Sequence, residues 1–274
     1  MIIHAPAKIN LSLKITRKRE DDFHELETLV LPLPSLVDEL LFKPASEFSL
    51  ECETPGVPTD ETNLVSRALR LFESNTNHPC NFHITLAKNI PHGAGLGGGS
   101  SDAAFTFLAL NKLTGASVPI ETLAEWAGEL GSDIPLFLYQ APCWCRGRGE
   151  IIESVQINWT RRILLLKPSF DIPTPWAYSN WKDSREIQGV SYIPQQIDKQ
   201  TLFNDLERSV FEKHRFLAEL KQFLLKQPET DAAMMSGSGS TVFAVLKTGC
   251  DAEALRIRTL DEMDPTLWSH LATF

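Results

Sequence analysis

The chain has 274 residues, 43% of them hydrophobic, enough to build one large domain or two modest ones without covalent staples. Its formal net charge of −9 removes any general electrostatic drive toward nucleic acid or an anionic membrane, so an anionic ligand would need a locally basic site. There is no internal repeat and no low-complexity tract, which excludes solenoids and long disordered linkers.

The opening MIIHAPAKINLSL is interrupted by Lys8 and Asn10, so neither a signal peptide nor a spanning helix can be built from it, and a cytoplasmic protein is expected. Ile9, Leu11, Leu13 and Ile15 alternate with Lys8, Asn10, Ser12 and Lys14, the period of a strand, which puts Lys8 and Asn10 on one face. Further strands are expected over 27–33 and 39–43. Helical spacing over 63–74 is followed by a short strand at 82–86 and then by the run Pro91-His92-Gly93-Ala94-Gly95-Leu96-Gly97-Gly98-Gly99-Ser100-Ser101. A helix is predicted over 102–113, stopped by Gly115, and another over 120–130, ended by Gly131.

Cys143 and Cys145 form a Cys-x-Cys pair in a predicted strand, and with Cys52, Cys80 and Cys250 they make an odd, irregular set. That pattern fits a reducing compartment, and with no second pair at zinc-site spacing no metal ligand is assigned. A strand over 162–166 and the proline-rich 168–175 follow. A domain boundary is expected near residue 160, dividing the chain into 1–158 and 159–274. Beyond it the spacing predicts helices over 200–209 and 211–225, a strand at 242–246 and a helix at 251–260. This mixed order points to α+β domains and away from a doubly wound sheet.

Five glycines stand within seven residues at 93–99, just before a helix. Such a backbone can turn its amide groups onto an anion, and the helix N-terminus adds to the attraction. Ser100 and Ser101 add hydroxyls suited to phosphate or to Mg²⁺. A Walker A loop fails because Gly99 stands where its lysine belongs. Gly93, Gly95 and Gly98 formally satisfy a dinucleotide fingerprint, but the loop follows a long mixed segment and not a first βαβ unit. The segments that accompany a protein-kinase glycine loop are missing. A structural glycine loop is the plain alternative.

Three segments occur in order: Pro6-Ala7-Lys8-Ile9-Asn10-Leu11, Gly95 through Ser101, and Ser236-Gly237-Ser238-Gly239-Ser240. With them the chain resembles the GHMP kinases, which phosphorylate small molecules with ATP. The resemblance implies an N-terminal domain of ribosomal-protein-S5-domain-2-like fold and a ferredoxin-like C-terminal domain, with the active site between them. Asp22-Phe23-His24-Glu25, Thr62-Asn63-Leu64-Val65, Gly131-Ser132-Asp133-Ile134-Pro135, Gly147-Arg148-Gly149-Glu150, Pro173-Thr174-Pro175-Trp176-Ala177-Tyr178 and Asn204-Asp205-Leu206-Glu207 are similar to the diphosphocytidyl-methylerythritol kinases within that superfamily.

That likeness implies transfer of phosphate from ATP, with Mg²⁺, to the 2-hydroxyl of a polyol carrying a cytidine diphosphate group, on the non-mevalonate route to isoprenoid precursors. It assigns Asp133 as catalytic base and Lys8 as its cationic partner, the residues from Pro91 to Ser101 with Asn63 and Lys88 to ATP, and Asn10, Phe23, His24, Thr174, Tyr178, Ser238 and Gly239 to the substrate. Phe23 and Tyr178 would stack the cytosine and His24 would read its edge; Phe23 stands where a tyrosine is commoner, which keeps stacking and loses a hydroxyl. Each residue alone also has a plainer reading: Asp133 or Asn63 as a helix cap, Lys8 or Lys88 as an exposed lysine, the aromatics as core. Arg146 and Arg148 offer local positive charge or are simply solvated. Another GHMP kinase acting on homoserine or a mevalonate derivative, and a non-catalytic ligand-binding protein of the same fold, are the alternatives. A monomer or weak homodimer is expected.

Overall fold

The computed structural model describes residues 1–157 and 159–273. It opens on two long antiparallel strands, β1 (Ile2–Lys18) and β2 (His24–Pro44). The alternation in β1 is as expected, yet both of its faces are covered: Ile9, Leu11 and Leu13 are buried on one, Lys8, Asn10 and Ser12 on the other. The two strands expected within β2 are one. Its apparent gap is a bulge, because pairing jumps from Val37 opposite Pro6 to Leu33 opposite Ala7. Pro34, in that gap, has no amide hydrogen to give a ladder.

The chain continues through β3 (Ser49–Glu51), α1 (Leu64–Thr76), β4 (Phe82–Ala87), α2 (Gly98–Thr114), α3 (Ile120–Leu130), α4 (Ile134–Leu138), β5 (Cys143–Gly147) and β6 (Ile151–Ser154). After these come β7 (Arg162–Lys167), α5 (Thr174–Ser179), β8 (Gln195–Ile197), β9 (Gln200–Asn204), α6 (Glu207–Lys213), α7 (Arg215–Leu225), β10 (Thr230–Met235), β11 (Val242–Leu246), α8 (Ala252–Glu262) and β12 (Trp268–Thr273). Among the described residues the first sheet runs β3-β4-β2-β1-β9-β8, with β5 and β6 attached to β2, and the second runs β10-β11-β7-β12. Taken with its helices, the second sheet follows a β-α-β-β-α-β path with the first strand of that path inside, the ferredoxin-like arrangement.

Helix α2 is the pillar of the first half. Ala103, Ala104, Phe107, Ala109 and Leu110 are fully enclosed, packed among α1, α3, α4 and the sheet in one core. It begins at Gly98, four residues before the predicted start, so part of the glycine run is helix and not loop. Glycine there gives up some helix propensity, and burial of the turns that follow outweighs it.

One prediction is overturned. Of the helix expected at 200–209 only 207–209 are helical, at the start of α6: β9 pairs with β1 in parallel and with β8 in a hairpin, its Leu202 and Asn204 turned inward. The side chain of Asn204 then accepts a hydrogen bond from the Leu206 amide at 2.9 Å, closing the strand with a turn before α6. The helix expected at 211–225 is likewise divided at His214.

The expected boundary falls on Asn158 and the chain's last residue is Phe274, both outside the described residues. We propose a division there, between β6 and β7, with β8 and β9 reaching back to extend the first sheet. If α2 is the pillar described, Phe107→Ala will cost about 3–5 kcal/mol in urea unfolding; a loss below about 1 kcal/mol would contradict it.

Candidate active site

A cleft of about 1140 Å³ opens between the two halves, larger than the roughly 300–1,000 Å³ of a single-ligand pocket. Pro91 to Gly95 and Gly97 to Ser100 line it, whereas Leu96, Ser101 and Gly239 do not. Gly97 caps α2 without any side-chain bond, leaving the amides of the first turn without a side-chain partner in the wall of the cleft. Gly95 and Gly97 adopt φ of 74° and 72°, open chiefly to glycine. Close approach constrains them too. A Cβ on Gly95 would lie 2.3 Å from the Ser236 carbonyl oxygen, and one on Gly97 would lie 2.8 Å from the Phe137 ring and 3.1 Å from Lys8 Cγ.

The late loop, Ser236 to Ser240, therefore packs on the first loop. Ser236 Oγ donates to the Gly95 carbonyl at 3.1 Å, and the Thr241 amide donates to the Ala94 carbonyl at 3.2 Å. Asn204 holds this loop from behind by donating to the carbonyls of Met235 and Gly237, each at 2.8 Å. Asp205 ties the same turn to β1, accepting from the Ile15 amide at 2.8 Å.

At the centre lies Lys8, 4% exposed. Its ammonium donates to Asn10 Oδ1 at 2.7 Å; Asn10 Nδ2 donates to Thr28 Oγ1 at 2.8 Å, and Thr28 donates to the Ser12 carbonyl at 2.5 Å. This chain fixes the amide orientation of Asn10 and hence the acceptor that faces Lys8. Burial pulls the Lys8 pKa below the ordinary lysine range, with the charge of Asp133 pulling it back up. Asp133 stands at the N-terminus of α4 and lines the cleft, but its side chain makes no capping bond. Its carboxylate is not spent on the helix. Cys145 lines the wall beside Lys8, its sulfur 3.7 Å from that of Cys143, both thiols buried and free.

One end of the cleft is aromatic. His24 lies 5.4 Å from Tyr178 and 6.0 Å from Trp181, between ring centroids. The Arg148 guanidinium sits 4.8 Å over Phe23, a cation–π contact that orients an otherwise exposed ring. Burial lowers the His24 pKa, with Lys18 adding to the effect. Thr174 and Ser238, both from the second half, hydrogen-bond at 2.9 Å. Trp181 escaped sequence reasoning because a lone tryptophan past a short helix carries no pattern.

At the other end Asn63 caps α1, its Oδ1 accepting from Val65 N at 2.8 Å and its Nδ2 donating to the Pro58 carbonyl at 2.6 Å. Lys88 is not an exposed lysine. Its ammonium is buried between Asp38 and Asp102. Ser101 is wholly buried, its hydroxyl without a partner among the described residues, whereas Ser100 faces the cleft. No cluster of three or more His, Cys, Asp or Glu able to hold a metal occurs among the described residues. No helix among them is long and apolar enough to cross a membrane.

Comparison with known proteins decides the family. Residues 63–141 match the GHMP kinases N terminal domain and residues 195–256 the GHMP kinases C terminal domain. A 4-diphosphocytidyl-2-C-methyl-D-erythritol kinase of Methylacidiphilum infernorum is 40% identical over 245 residues, covering 88% of this chain and 84% of that protein. The chain belongs to the 4-diphosphocytidyl-2-C-methyl-D-erythritol kinase family of GHMP kinases. A crystal structure of 4-(cytidine 5'-diphospho)-2C-methyl-D-erythritol kinase superposes with a TM-score of 0.80 at 31% identity, covering all of both chains. The homoserine kinase of Cytophaga hutchinsonii, at 17% identity and a TM-score of 0.72 over 100% of this chain and 94% of its own, shares the fold.

The two-domain α+β fold inferred from the three glycine and lysine motifs is thus the family's fold. Because Gly97 must pass against Lys8 and Phe137, Gly97→Ala should weaken binding of an ATP analogue by about tenfold or more in an equilibrium titration, the effect of about 1.4 kcal/mol. Unaltered affinity would mean that the loop's close approach does not shape the nucleotide site.

Proposed function

We propose that this kinase transfers the γ-phosphoryl group of ATP to the 2-hydroxyl of 4-diphosphocytidyl-2-C-methyl-D-erythritol, with Asp133 as general base and Lys8 as the cation beside the reacting oxygen. The observation that carries the assignment is the uncommitted Asp133 carboxylate sharing a cleft wall with a buried, oriented Lys8 ammonium. An alcohol is a poor nucleophile until its proton has somewhere to go. As the new P–O bond forms and the bond to ADP breaks, the hydroxyl proton passes to Asp133 while Lys8 offsets the charge gathering on oxygen.

The remaining roles divide the cleft. The amides of the glycine-rich loop and the start of α2 receive the phosphates. Mg²⁺ on the triphosphate would neutralise part of its charge; Ser100, the hydroxyl that faces the cleft, suits it, and a hard cation taking most of its ligands from phosphate and water needs no protein cage. The aromatic end, with Phe23, Tyr178 and His24, receives the cytosine by stacking and by hydrogen bonds to its edge. Asn10 orients Lys8, and Thr174 with Ser238 closes over the polyol from the second half. Asn63 and Lys88 border the nucleotide end, acting through the shape of the wall. The five free cysteines support a cytoplasmic location.

Asp133→Asn should cut turnover by about a hundredfold or more while leaving binding of an ATP analogue nearly intact, the scale of a lost general base; full turnover would remove Asp133 from the mechanism. In an assay across alcohols, the cytidine compound should be phosphorylated and homoserine and mevalonate should not. Activity on homoserine alone would overturn the substrate assignment. Because burial lowers the Lys8 pKa, activity should fall as pH rises through a value below the ~10.4 of an ordinary lysine, and Lys8→Arg should move that alkaline limb upward. An unmoved limb would assign it to another group.

A further inference from the structure

We infer that Asp38, Lys88 and Asp102 form a clasp that closes the two ends of the glycine-rich loop on each other, so that nucleotide affinity depends on the bond between Lys88 and Asp102. This rests on the loop being the ATP-phosphate site, and it makes Lys88 and Asp102 positioning residues.

The clasp joins three elements distant in sequence. Asp38, fully buried on β2, accepts from the amides of Asn89 at 2.6 Å and Ile90 at 2.8 Å, the two residues that lead into Pro91 and the loop. Its other oxygen meets the Lys88 ammonium. From there Lys88 donates to Asp102 Oδ2 at 2.6 Å, and Asp102 stands on α2 just past the loop's exit. Entry and exit are therefore tied through one lysine. The fit at the junction is close: a Cβ on Gly98 would lie 3.0 Å from Ile90 Cγ2 and 3.2 Å from Asp38 Oδ2. Without Lys88 to bridge them, the two carboxylates would repel and this tie from α2 to the loop's entry would be lost.

The charge count makes this more than a stabilising ion pair. Two buried carboxylates share one ammonium, and Asp102 Oδ1 has no hydrogen-bond partner among the described residues. Asp38 and Lys88 are the charged groups that face Asp102. A residue kept only for stability would not be a surplus carboxylate in a buried site. Asp102 instead gives the loop its second anchor.

Asp102→Ala separates the two roles, because it leaves a balanced Lys88–Asp38 pair and cuts only the tie to α2. Asp102→Asn keeps an oxygen that can accept from Lys88. The measurement is the Kd for a non-hydrolysable ATP analogue, with KM and kcat for both substrates. Asp102→Ala should raise the Kd and the KM for ATP about tenfold or more and leave kcat and the KM of the second substrate within about twofold. Asp102→Asn should restore nucleotide affinity to within about threefold of the parent. Unchanged nucleotide affinity in Asp102→Ala would overturn the inference, as would equal losses in the alanine and asparagine variants, or a joint rise in both KM values. Analogue binding reads the clasp directly. A parent that bound the analogue but phosphorylated no cytidine substrate would count against the proposed function and leave this result standing.

Discussion

A lysine ammonium held almost out of water is the constraint on which the rest depends. Lys8 lies inside the cleft wall with Asn10 as its hydrogen-bond acceptor and Asp133 as the nearby charge that favours its ionised form. Leaving water costs a cation several kcal/mol, and only close, well-placed partners offset that. The partners are placed by backbone: β1 carries Lys8 and Asn10 on one face, β2 supplies Thr28 to orient the amide, and the Lys8 amide itself donates to the Leu96 carbonyl at 2.9 Å. The same crowding explains the glycines. Gly97 passes over the stem of Lys8, and a Cβ on Gly237 would stand 3.3 Å from its ammonium nitrogen.

Both glycine loops thus converge on one charged side chain, and that convergence unites the two halves. The second half brings more than the Ser236 to Ser240 loop. Asp171, bonded to Lys167 at 2.8 Å, fills the space a side chain on Gly93 would need. Asn204, Asp205 and Glu207 each hold a different part of the boundary, Glu207 accepting from the Met235 amide at 2.9 Å while paired with the buried Lys221. A short polar segment after β9 therefore positions the late loop against β1. A cleft assembled from both halves in this way has two chemically distinct ends, rings and a histidine at one, a helix cap and a buried clasp at the other.

The parts of this arrangement that repeat along the chain were legible in its sequence. Alternation in β1 put Lys8 and Asn10 side by side, the glycine run leads into an apolar helix as expected, and helices α1, α3 and α8 fall within a few residues of their periodic patterns. What was hidden depends on contacts between distant residues. Residues 200–204 look helical because their apolar spacing is short and ambiguous, and only pairing with β1 makes them a strand. Lys88 reads as an exposed lysine because its partners lie at 38 and 102, far away in sequence. Arg148 over Phe23 and Trp181 beside His24 are likewise tertiary facts. Asp133 stands out only through likeness to its family, since a carboxylate before a helix is ordinarily a cap; the structure shows that its side chain makes no capping bond.

The central claim is that Lys8 and Asp133 flank the reacting hydroxyl where both ligands meet. A crystal structure of the ternary complex with an ATP analogue and 4-diphosphocytidyl-2-C-methyl-D-erythritol tests it most directly. The account predicts the 2-hydroxyl oxygen within about 2.6–3.2 Å of both the Asp133 carboxylate and the Lys8 ammonium, on the side facing the γ-phosphate. A hydroxyl bound beyond reach of Asp133, with another base beside it, would contradict the account.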